Sequence, residues 1–366
     1  MTWRNARHAV DEWNTHTRKS ALLTGDGDLP TLGLVAPSDA FGLVEHRFCD
    51  IAQRHLVAII VPSSTDLSLD EFRLVMSMCN RFHIPCIVDR SISEEFSKSG
   101  TLFAHIWRKR LNISDKSFVI SVGLKADSIG KALAQLISRL MWNSFLLLYK
   151  QPQDVVKIAD LLSVWHTDNG ARTSIKLLQL PGDTSQYDAF LKHIRERLRQ
   201  TNIIVHTDEV STVHTLLARA SLLNMTENRY SYLFTNLDLR LLEDFFVSMN
   251  APYRCNISGI QLVKHSPLLK TDLALTMDSV FMTGEALSSM HRRMLAPETQ
   301  ALLCDAGDRW QDGELLNGIL KKTRLKNLTT GNLDFDPKLS GVRTNVSLLG
   351  ITRRSDGKFT QNFVKL

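Results

Sequence analysis

The sequence has no long apolar run and none of the common catalytic motifs. No stretch approaches the roughly 20 apolar residues that a membrane-spanning helix needs, and the first residues lack the apolar segment of a signal peptide. We therefore expect this chain to carry neither a signal peptide nor a transmembrane segment. A Gly-x-Ser-x-Gly turn, a His-Glu-x-x-His helix and a Cys-x-x-Cys pair are also absent. These absences argue against an enzyme, a metal site and a bound cofactor.

Charge is neither abundant nor strongly one-sided. The 366 residues include 44 Lys and Arg against 38 Asp and Glu, which gives a net charge of +6. An excess this small does not predict a nucleic-acid partner, and the basic group Arg108–Arg110 is typical of a solvated loop. Hydrophobic residues make up 43% of the chain, which is the composition of a globular protein with enough material for a core.

Three patterns come close to binding motifs without matching them. The glycines of Gly123–Lys131 have the wrong separation for a phosphate-binding loop, so a strand-to-helix turn is favoured. The 12 histidines include no pair at positions i and i+4 of one helix face. Asp334 and Asp336 stand beside a proline, where a capped turn is favoured over a cation site.

Short apolar runs rich in β-branched residues alternate with amphipathic helical patterns along the chain. The strand pattern Leu56–Val61 is followed by the helical pattern Asp70–Phe82 and the strand pattern Ile84–Val88. Strands without a polar face, in strict alternation with helices, predict parallel sheets covered by helices. The further predicted strands are Ser117–Val122, Ser144–Tyr149, Ser174–Leu178, Ile203–His206 and Tyr230–Phe234, and the further helices are Ser128–Leu140, Val155–Trp165, Tyr187–Leu198, Ser211–Leu223, Thr271–Leu287 and Asp312–Lys322.

Two such sheets in series predict an α/β protein with two lobes. We expect lobe 1 in residues 1–140, with residues 271–330 returning to it, and lobe 2 in residues 141–270. Residues 331–366 are expected to form a C-terminal strand segment, because Arg343–Ile351 alternates as an antiparallel strand does.

Five stretches, in order along the chain, resemble the amino-terminal domain of ionotropic glutamate receptors of the kainate class. The sequence YSYLFTNLDL is similar to the family's YHY-x-FTTLDL, and LPGDTSQY is similar to its QLP-x-D-T turn and following helix. The resemblance implies a two-lobed clamshell of the type I periplasmic-binding-protein kind, with parallel sheets flanked by helices. The five stretches are Cys49–Val88, Ser138–Tyr149, Ile175–Ile194, Tyr230–Leu239 and Thr329–Ile351.

The chain departs from the family pattern at its start and in two later segments. The family has a strand before its first helix, whereas Met1 already falls within that helix, so we expect the first strand of lobe 1 to be missing. The segment Ser91–Lys116 is longer than in the family, and Val263–Lys270 is shorter.

The resemblance also accounts for cysteines and sequons. It implies a disulfide between Cys49 and Cys304, and it matches Cys79 to a buried free thiol, while Cys86 and Cys255 have no assigned partner. Asn-x-Ser/Thr sequons fit an extracellular, glycosylated surface. The candidate N-glycosylation sites are Asn112, Asn224, Asn256, Asn327 and Asn345.

The function implied by the resemblance is receptor assembly without enzymatic activity. The expected protein is a subunit of a glutamate-gated cation channel on the extracellular face of the plasma membrane, at synapses, with the membrane reached only through parts of the receptor outside this chain. Its expected partners are homologous subunits, in homo- or heterodimers, and synaptic extracellular proteins. Phe72, Val75 and Met76 form a candidate dimer stripe on one helix, and core packing of that stripe is an equal alternative.

A ligand-binding module is the alternative function. In that case an amino acid or small modulator would bind in the cleft between the lobes. Ser63 and Ser64 could supply hydroxyl groups to an α-carboxylate, but no acid is identified for the ammonium group. The candidate cleft residues are Ser63, Ser64, Thr65, Gly123 and Asp208.

Overall fold

The structure is a computed structural model. It describes residues 48–53, 56–62, 69–89, 117–124, 126–151, 174–242, 254–263, 269–293, 298–304, 306–336, 341–343, 347–353 and 359–365, together with residues 155, 158, 161 and 295.

The described strands and helices have the parallel, helix-covered character that the sequence predicts. In chain order the strands are β1 (Ile59–Val61), β2 (Cys86–Val88), β3 (Val119–Ser121), β4 (Ser144–Tyr149), β5 (Ser174–Gln179), β6 (Asn202–His206), β7 (Ser231–Phe234), β8 (Asn256–Gln261), β9 (Arg324–Leu328), β10 (Gly331–Asp336), β11 (Gly341–Arg343), β12 (Ser347–Arg353) and β13 (Phe359–Lys365). The helices are α1 (Leu69–Phe82), α2 (Ala126–Leu140), α3 (Tyr187–His193), α4 (Val210–Leu222), α5 (Thr271–Arg292) and α6 (Gly313–Leu320).

The chain divides into two compact units. Unit 1 comprises Met1–Leu124 and Asp272–Thr344, and unit 2 comprises Lys125–Thr271 and Asn345–Leu366. These limits differ in detail from the lobes expected from the sequence, because α2 groups with the strand that follows it. Residues 331–366 are not a separate segment in this division, since β10 and β11 join the sheet of unit 1 while β12 and β13 join the sheet of unit 2.

Unit 1 is built on a six-stranded sheet in the order β1-β2-β3-β11-β10-β9. Strands β1, β2 and β3 are parallel, whereas β9 and β10 form an antiparallel hairpin. Residues 1–47 lie outside the described part of the chain, so the expected absence of a first strand stays a prediction.

The side chains proposed as a dimer stripe on α1 belong to the core of unit 1. Phe72, Val75 and Met76 are at most 1% exposed. Because these side chains are covered within one copy of the chain, they are not available to a second subunit. The apolar period of α1 therefore reflects core packing, and the assignment of this stripe to a dimer contact is wrong.

The segment that precedes α6 is bonded to the end of α1. The backbone N–H of Trp310, whose side chain is 1% exposed, donates to the carbonyl oxygen of Phe82 at 2.9 Å. The indole Nε1 donates to the carbonyl oxygen of Glu298 at 2.9 Å. A disulfide joins Cys49 to Cys304, with 5.8 Å between their Cα atoms. Helix α6 thereby follows directly from a segment that is bonded to α1.

Unit 2 is built on a seven-stranded sheet in the order β13-β12-β8-β7-β6-β4-β5. The strands from β8 to β5 are parallel, and β12 is antiparallel to both of its neighbours. One face of the sheet packs against α3 and α4 through buried side chains, among them Leu146, Leu148, Val205, Leu191 and Leu216. The chain moves from β4 outward to β5 and then back across β4 to β6. The order therefore reverses between β4 and β6, the kind of switch point at which open α/β sheets bind ligands.

Asp278 of α5 is a buried carboxyl that organises the turn between β9 and β10. It is 0% exposed and accepts hydrogen bonds from the N–H groups of Thr329 and Thr330 at 3.0 and 2.9 Å. The Thr330 hydroxyl also donates to it at 2.5 Å. Burial raises the pKa of Asp278, although these three hydrogen bonds favour the carboxylate.

Two glycines of α6 provide a matched test of the contact with α1. A Cβ atom on Gly313 would clash with the carbonyl oxygen of His83, whereas a Cβ on Gly318 would meet nothing within 4 Å. We expect Gly313→Ala to lower the free energy of unfolding by about 1–3 kcal/mol, as overpacking does. Gly318→Ala should leave it unchanged or raise it by up to about 1 kcal/mol, because alanine favours helix. Urea unfolding of both variants measures this, and equal effects would show that α6 does not press on His83.

Asp278→Asn tests the buried carboxyl. Asparagine replaces one acceptor oxygen with an NH₂ group, so the variant should be less stable by about 1–3 kcal/mol at pH 4. Because burial raises the pKa of Asp278 in the folded protein, the carboxyl contributes fully to the free energy of unfolding below its unfolded pKa, about 3.9. This contribution is lost as the pH rises through the pKa of the folded protein. The difference in unfolding free energy between the two proteins should therefore shrink from pH 4 to pH 7. Urea unfolding at several pH values measures it, and a difference that grows with pH would contradict the account.

Candidate functional site

Polar side chains follow the central strands of unit 2 at the carboxyl edge of the sheet. Lys150 comes directly after β4, Thr207 to Glu209 follow β6, and Thr235 and Asn236 follow β7. Because these strands are parallel, their carboxyl ends meet at one edge. This edge includes the switch point between β4 and β6, so it is the candidate polar site of unit 2.

An ion pair spans the switch point. The Lys150 ammonium lies 2.5 Å from Glu209 Oε2, and the Thr212 hydroxyl donates to the same oxygen at 2.9 Å. The hydrogen bond from Lys150, followed by that from Thr212, holds the pKa of Glu209 below its usual range. Gln179, at the end of β5, donates to the Lys150 carbonyl oxygen at 3.2 Å. A charged ligand at this position would have to compete with the partner that each ion already has.

A second row of polar groups lies deeper at the same edge. His206 is 1% exposed, and its Nδ1 is 2.7 Å from the Thr235 hydroxyl oxygen. Asn236 Nδ2 donates to the Thr207 carbonyl oxygen at 3.2 Å. These bonds link the ends of β6 and β7 and satisfy polar groups that would otherwise be costly to bury. The row therefore stabilises the edge, and its groups are of the kind that orient a polar ligand.

The predicted cleft residues fall in different parts of the chain. Gly123 is buried, two residues beyond β3 in unit 1. Asp208 is exposed, two residues beyond β6 in unit 2. Ser63, Ser64 and Thr65 lie outside the described residues. The assignment of these five residues to a cleft stays a prediction.

Unit 2 also exposes apolar side chains beside its terminal described strand, β5. Met141 is 81% exposed, Leu140 is 44% exposed and Leu177 of β5 is 40% exposed. The backbone carbonyl oxygen of Asn143 accepts a hydrogen bond at 2.9 Å from the N–H of Ser174, which brings the end of α2 to the start of β5. We call Leu140, Met141 and Leu177 the β5 edge surface. Sequence analysis missed it, because apolar spacing predicts burial and does not reveal which apolar residues stay exposed.

The backbone holds Met141 in an unusual conformation. Its φ is 52°, in the left-handed region that residues other than glycine adopt at a cost. The N–H of Trp142 donates to the carbonyl oxygen of Ile137 at 3.3 Å, which is the bonding that ends a helix at a left-handed residue. The chain thus turns sharply after α2 and leaves the Met141 side chain in solvent.

Three of the sequons lie in the described residues, and all three asparagines are exposed. They are Asn224, Asn256 and Asn327. Asn224 and Asn327 have φ values of 55° and 59°, a left-handed conformation that asparagine tolerates better than most residues. Asn112 and Asn345 lie outside the described residues.

The remaining cysteines are buried thiols. Cys79, Cys86 and Cys255 are free and buried, while Cys49 and Cys304 are bonded to each other, as the family resemblance implied. Burial raises the pKa of Cys255 to about 12. Within the residues that the structure covers, no group of three or more His, Cys, Asp and Glu is arranged to hold a metal ion.

None of the helices in the described residues combines the length and the apolar character that a bilayer span requires.

Comparison with known proteins decides the family. The family described as "Receptor family ligand binding region" matches residues 34–354, most of the chain. The chain belongs to this receptor ligand-binding-region family. Its mixed α/β units, with parallel strands flanked by helices, agree with the type I periplasmic-binding-protein-like fold of the family.

Two relatives place the chain beside kainate receptors. It is 22% identical over 302 residues to "Glutamate receptor ionotropic, kainate glr-3" of Caenorhabditis elegans. This alignment covers 80% of the chain and 33% of the relative. It is 25% identical over 325 residues to "Glutamate receptor ionotropic, kainate 4" of Homo sapiens, in an alignment that covers 82% of the chain and 31% of the relative. This member of the receptor family therefore spans about a third of the length of these relatives.

Proposed function

We propose that the chain is the extracellular amino-terminal domain of a kainate-like ionotropic glutamate receptor subunit, and that it pairs subunits during receptor assembly. Similarity to two kainate receptors over four fifths of the chain supports the first part. The β5 edge surface carries the second part, because it supplies exposed apolar side chains at one border of unit 2. The proposed role is non-enzymatic, within a glutamate-gated cation channel.

The β5 edge surface has the composition of a subunit contact. Full burial of an exposed Leu or Met side chain contributes about 1.5–3 kcal/mol, and less where the side chain is already half-buried, as Leu140 and Leu177 are. In a two-fold dimer each residue is buried twice. Lys131, Gln135 and Arg139 on the exposed face of α2 provide a polar border. An apolar centre with a polar border is the usual anatomy of a protein interface.

The proposed partners are homologous subunits, in homo- or heterodimers, and synaptic extracellular proteins. The proposed location is the extracellular face of the plasma membrane, at synapses. The Cys49–Cys304 disulfide supports it, because disulfides persist in oxidising compartments. The three described sequon asparagines are exposed, and none of them belongs to the β5 edge surface. Glycans at these positions would therefore not be attached to any residue of that surface.

The alternative function is a ligand-binding module for an amino acid or small modulator. Its support is the group of polar side chains at the carboxyl edge of unit 2, where Lys150 and Glu209 meet at the switch point. Lys150 and Glu209 already pair with each other, which favours assembly over ligand binding. Thermal unfolding in the presence of amino acids distinguishes the two, because a ligand that binds the folded state stabilises it by mass action.

Charge placed on the β5 edge surface should disrupt dimers. We expect the unmodified chain to form a reversible dimer, and Leu177→Arg or Met141→Arg to weaken it by roughly 100-fold, since two apolar side chains are lost from each dimer. Leu222→Arg is the matched control, because Leu222 is 74% exposed on α4. Sedimentation equilibrium measures all four proteins. A monomeric unmodified chain, or equal weakening by Leu222→Arg, would refute the proposed surface.

Glycosylation should follow the described sequons. When the chain is secreted from animal cells, we expect glycans on Asn224, Asn256 and Asn327, because these asparagines are exposed. Enzymatic removal of the glycans converts each modified Asn to Asp, which peptide mass spectrometry detects. Asn332 is exposed but has no sequon, so it serves as the unmodified control. Three unmodified sequons in the secreted protein would contradict the extracellular assignment.

A further inference from the structure

Basic side chains gather at the amino edge of the unit 2 sheet, opposite the candidate polar site. Strands β6, β7 and β8 begin in register, with Asn202 beside Ser231 and Ser231 beside Asn256. Each of these three strands is preceded, two or three residues earlier, by an exposed arginine. The arginines are Arg199, Arg229 and Arg254.

The backbone holds the segments that carry these arginines close together. The N–H of Ser231 donates to the carbonyl oxygen of Thr201 at 2.9 Å, and the N–H of Arg254 donates to that of Thr226 at 2.8 Å. Because neighbouring strands lie about 4.8 Å apart, the starts of β6 and β8 are about 10 Å apart. Three guanidinium groups can therefore contact one extended molecule that runs along this edge.

The helix that leads into β6 adds two cations. Helix α3 continues as a π-helix over Ile194–Leu198, and the N–H of Arg199 donates to the Ile194 carbonyl oxygen at 2.8 Å. Lys192 and Arg197 are exposed and five residues apart, about one turn of a π-helix, so they lie on one side of it. We call Lys192, Arg197, Arg199, Arg229 and Arg254 the amino-edge basic surface.

The cations of this surface are available to a partner. Arg229 lies 3.5 Å from Glu227, but these side chains are 60% and 55% exposed, and an exposed pair of this kind contributes little and exchanges readily. The other four cations form no ion pair within the part of the chain that the structure describes. They are Lys192, Arg197, Arg199 and Arg254.

The acidic residue nearest to the helical part of the surface is already bonded. Glu196 accepts a hydrogen bond from Arg195 at 2.7 Å, and Arg195 also donates to the Leu223 carbonyl oxygen at 2.8 Å. The hydrogen bond from Arg195, and then the charges of Lys192 and Arg197, hold the pKa of Glu196 below its usual range. The local charge around this carboxylate is therefore positive.

Charge in unit 2 is segregated between the two edges of its sheet. The carboxyl edge carries the exposed acids Asp183, Asp208 and Glu209. Basic residues near the end of a helix also stabilise the helix through its dipole. That effect does not account for Arg229 and Arg254, which precede strands. The segregation instead indicates an anionic partner at the amino edge.

We propose that the amino-edge basic surface binds a sulfated polysaccharide chain. Sulfate groups repeat along such a chain and stay ionised, so one chain can meet several cations of a row, and a linear ligand fits a row better than a globular acidic protein does. Short segments rich in Lys and Arg are typical of heparin-binding patches. The inference rests on the proposed extracellular location, where such chains occur. It does not rest on subunit pairing, because none of the five residues belongs to the β5 edge surface.

Affinity for a fluorescent heparin oligosaccharide tests the proposal on the whole secreted chain. We expect the triple variant Lys192→Gln, Arg197→Gln, Arg199→Gln to bind roughly 10–100-fold more weakly at about 0.1 M NaCl, because three charge contacts are lost. The dependence of Kd on NaCl should also become shallower, because fewer counterions are released. If this variant fails to fold, Arg229→Gln with Arg254→Gln tests the strand side of the surface and should also weaken binding.

A control triple removes the same charge elsewhere. Arg293, Lys322 and Lys326 are exposed in unit 1, and their change to Gln should leave the affinity within about threefold. Equal loss in the two triples would overturn the proposal, because binding would then follow net charge alone. Tighter binding to polyglutamate or to phosphatidylserine vesicles than to the heparin oligosaccharide would overturn it as well.

Glycans are trimmed to their first sugar before the measurement, because Asn256 lies two residues after Arg254. Their presence before trimming reports passage through the secretory route. A glycosylated chain that does not bind heparin would therefore overturn this inference and leave the extracellular assignment intact. Sedimentation of the surface variant separates the inference from assembly, since its dimer should be unchanged.

Discussion

The hydrogen bond from the Trp310 N–H to the Phe82 carbonyl oxygen joins segments that are far apart in sequence, and unit 1 is arranged around it. On one side of this contact the Phe48 ring stacks on Phe82 with centroids 5.7 Å apart. On the other side Gly313 lies so close to the His83 carbonyl that only glycine fits. The Cys49–Cys304 disulfide closes the same region across a separation of 255 residues. An unfolded chain would lose much entropy to bring these segments together, so a covalent bond at this place stabilises the unit most.

Unit 2 is held together mainly by its parallel sheet. Its strands carry apolar side chains on the face that meets α3 and α4, and its polar groups gather at the carboxyl edge, where Lys150 and Glu209 pair. The ion pair at this edge is formed internally, whereas Leu177 on β5 and Met141 at the end of α2 are exposed. Contact with a second subunit would bury these apolar side chains, whereas a charged ligand at the carboxyl edge would have to displace an ion pair that is already formed.

Sequence predicts strongly apolar elements well and polar ones poorly. Strands such as β4 and β6 were predicted, because their apolar runs are short and stand between helical patterns, as buried strands do. Strand β10 falls in the C-terminal segment that was expected to form strand, but the turn expected at Asp334 and Asp336 is wrong. Both residues lie on β10, and Asp334 pairs with Arg324 at 3.1 Å. For the candidate site, the positions of Gly123 and Asp208 beyond strand ends follow from the order of elements. Which apolar residues stay exposed depends on tertiary packing, so the β5 edge surface could not be predicted.

The central claim is that the chain associates with a second copy through the border at β5. Hydrogen–deuterium exchange of the unmodified chain at a low and a high protein concentration tests it most directly, because each backbone segment reports its own protection from exchange. The account predicts that exchange slows at high concentration in Ser174–Gln179 and at the end of α2, and that α4 near Leu222 does not change. Exchange that is independent of concentration in Ser174–Gln179 would contradict the claim.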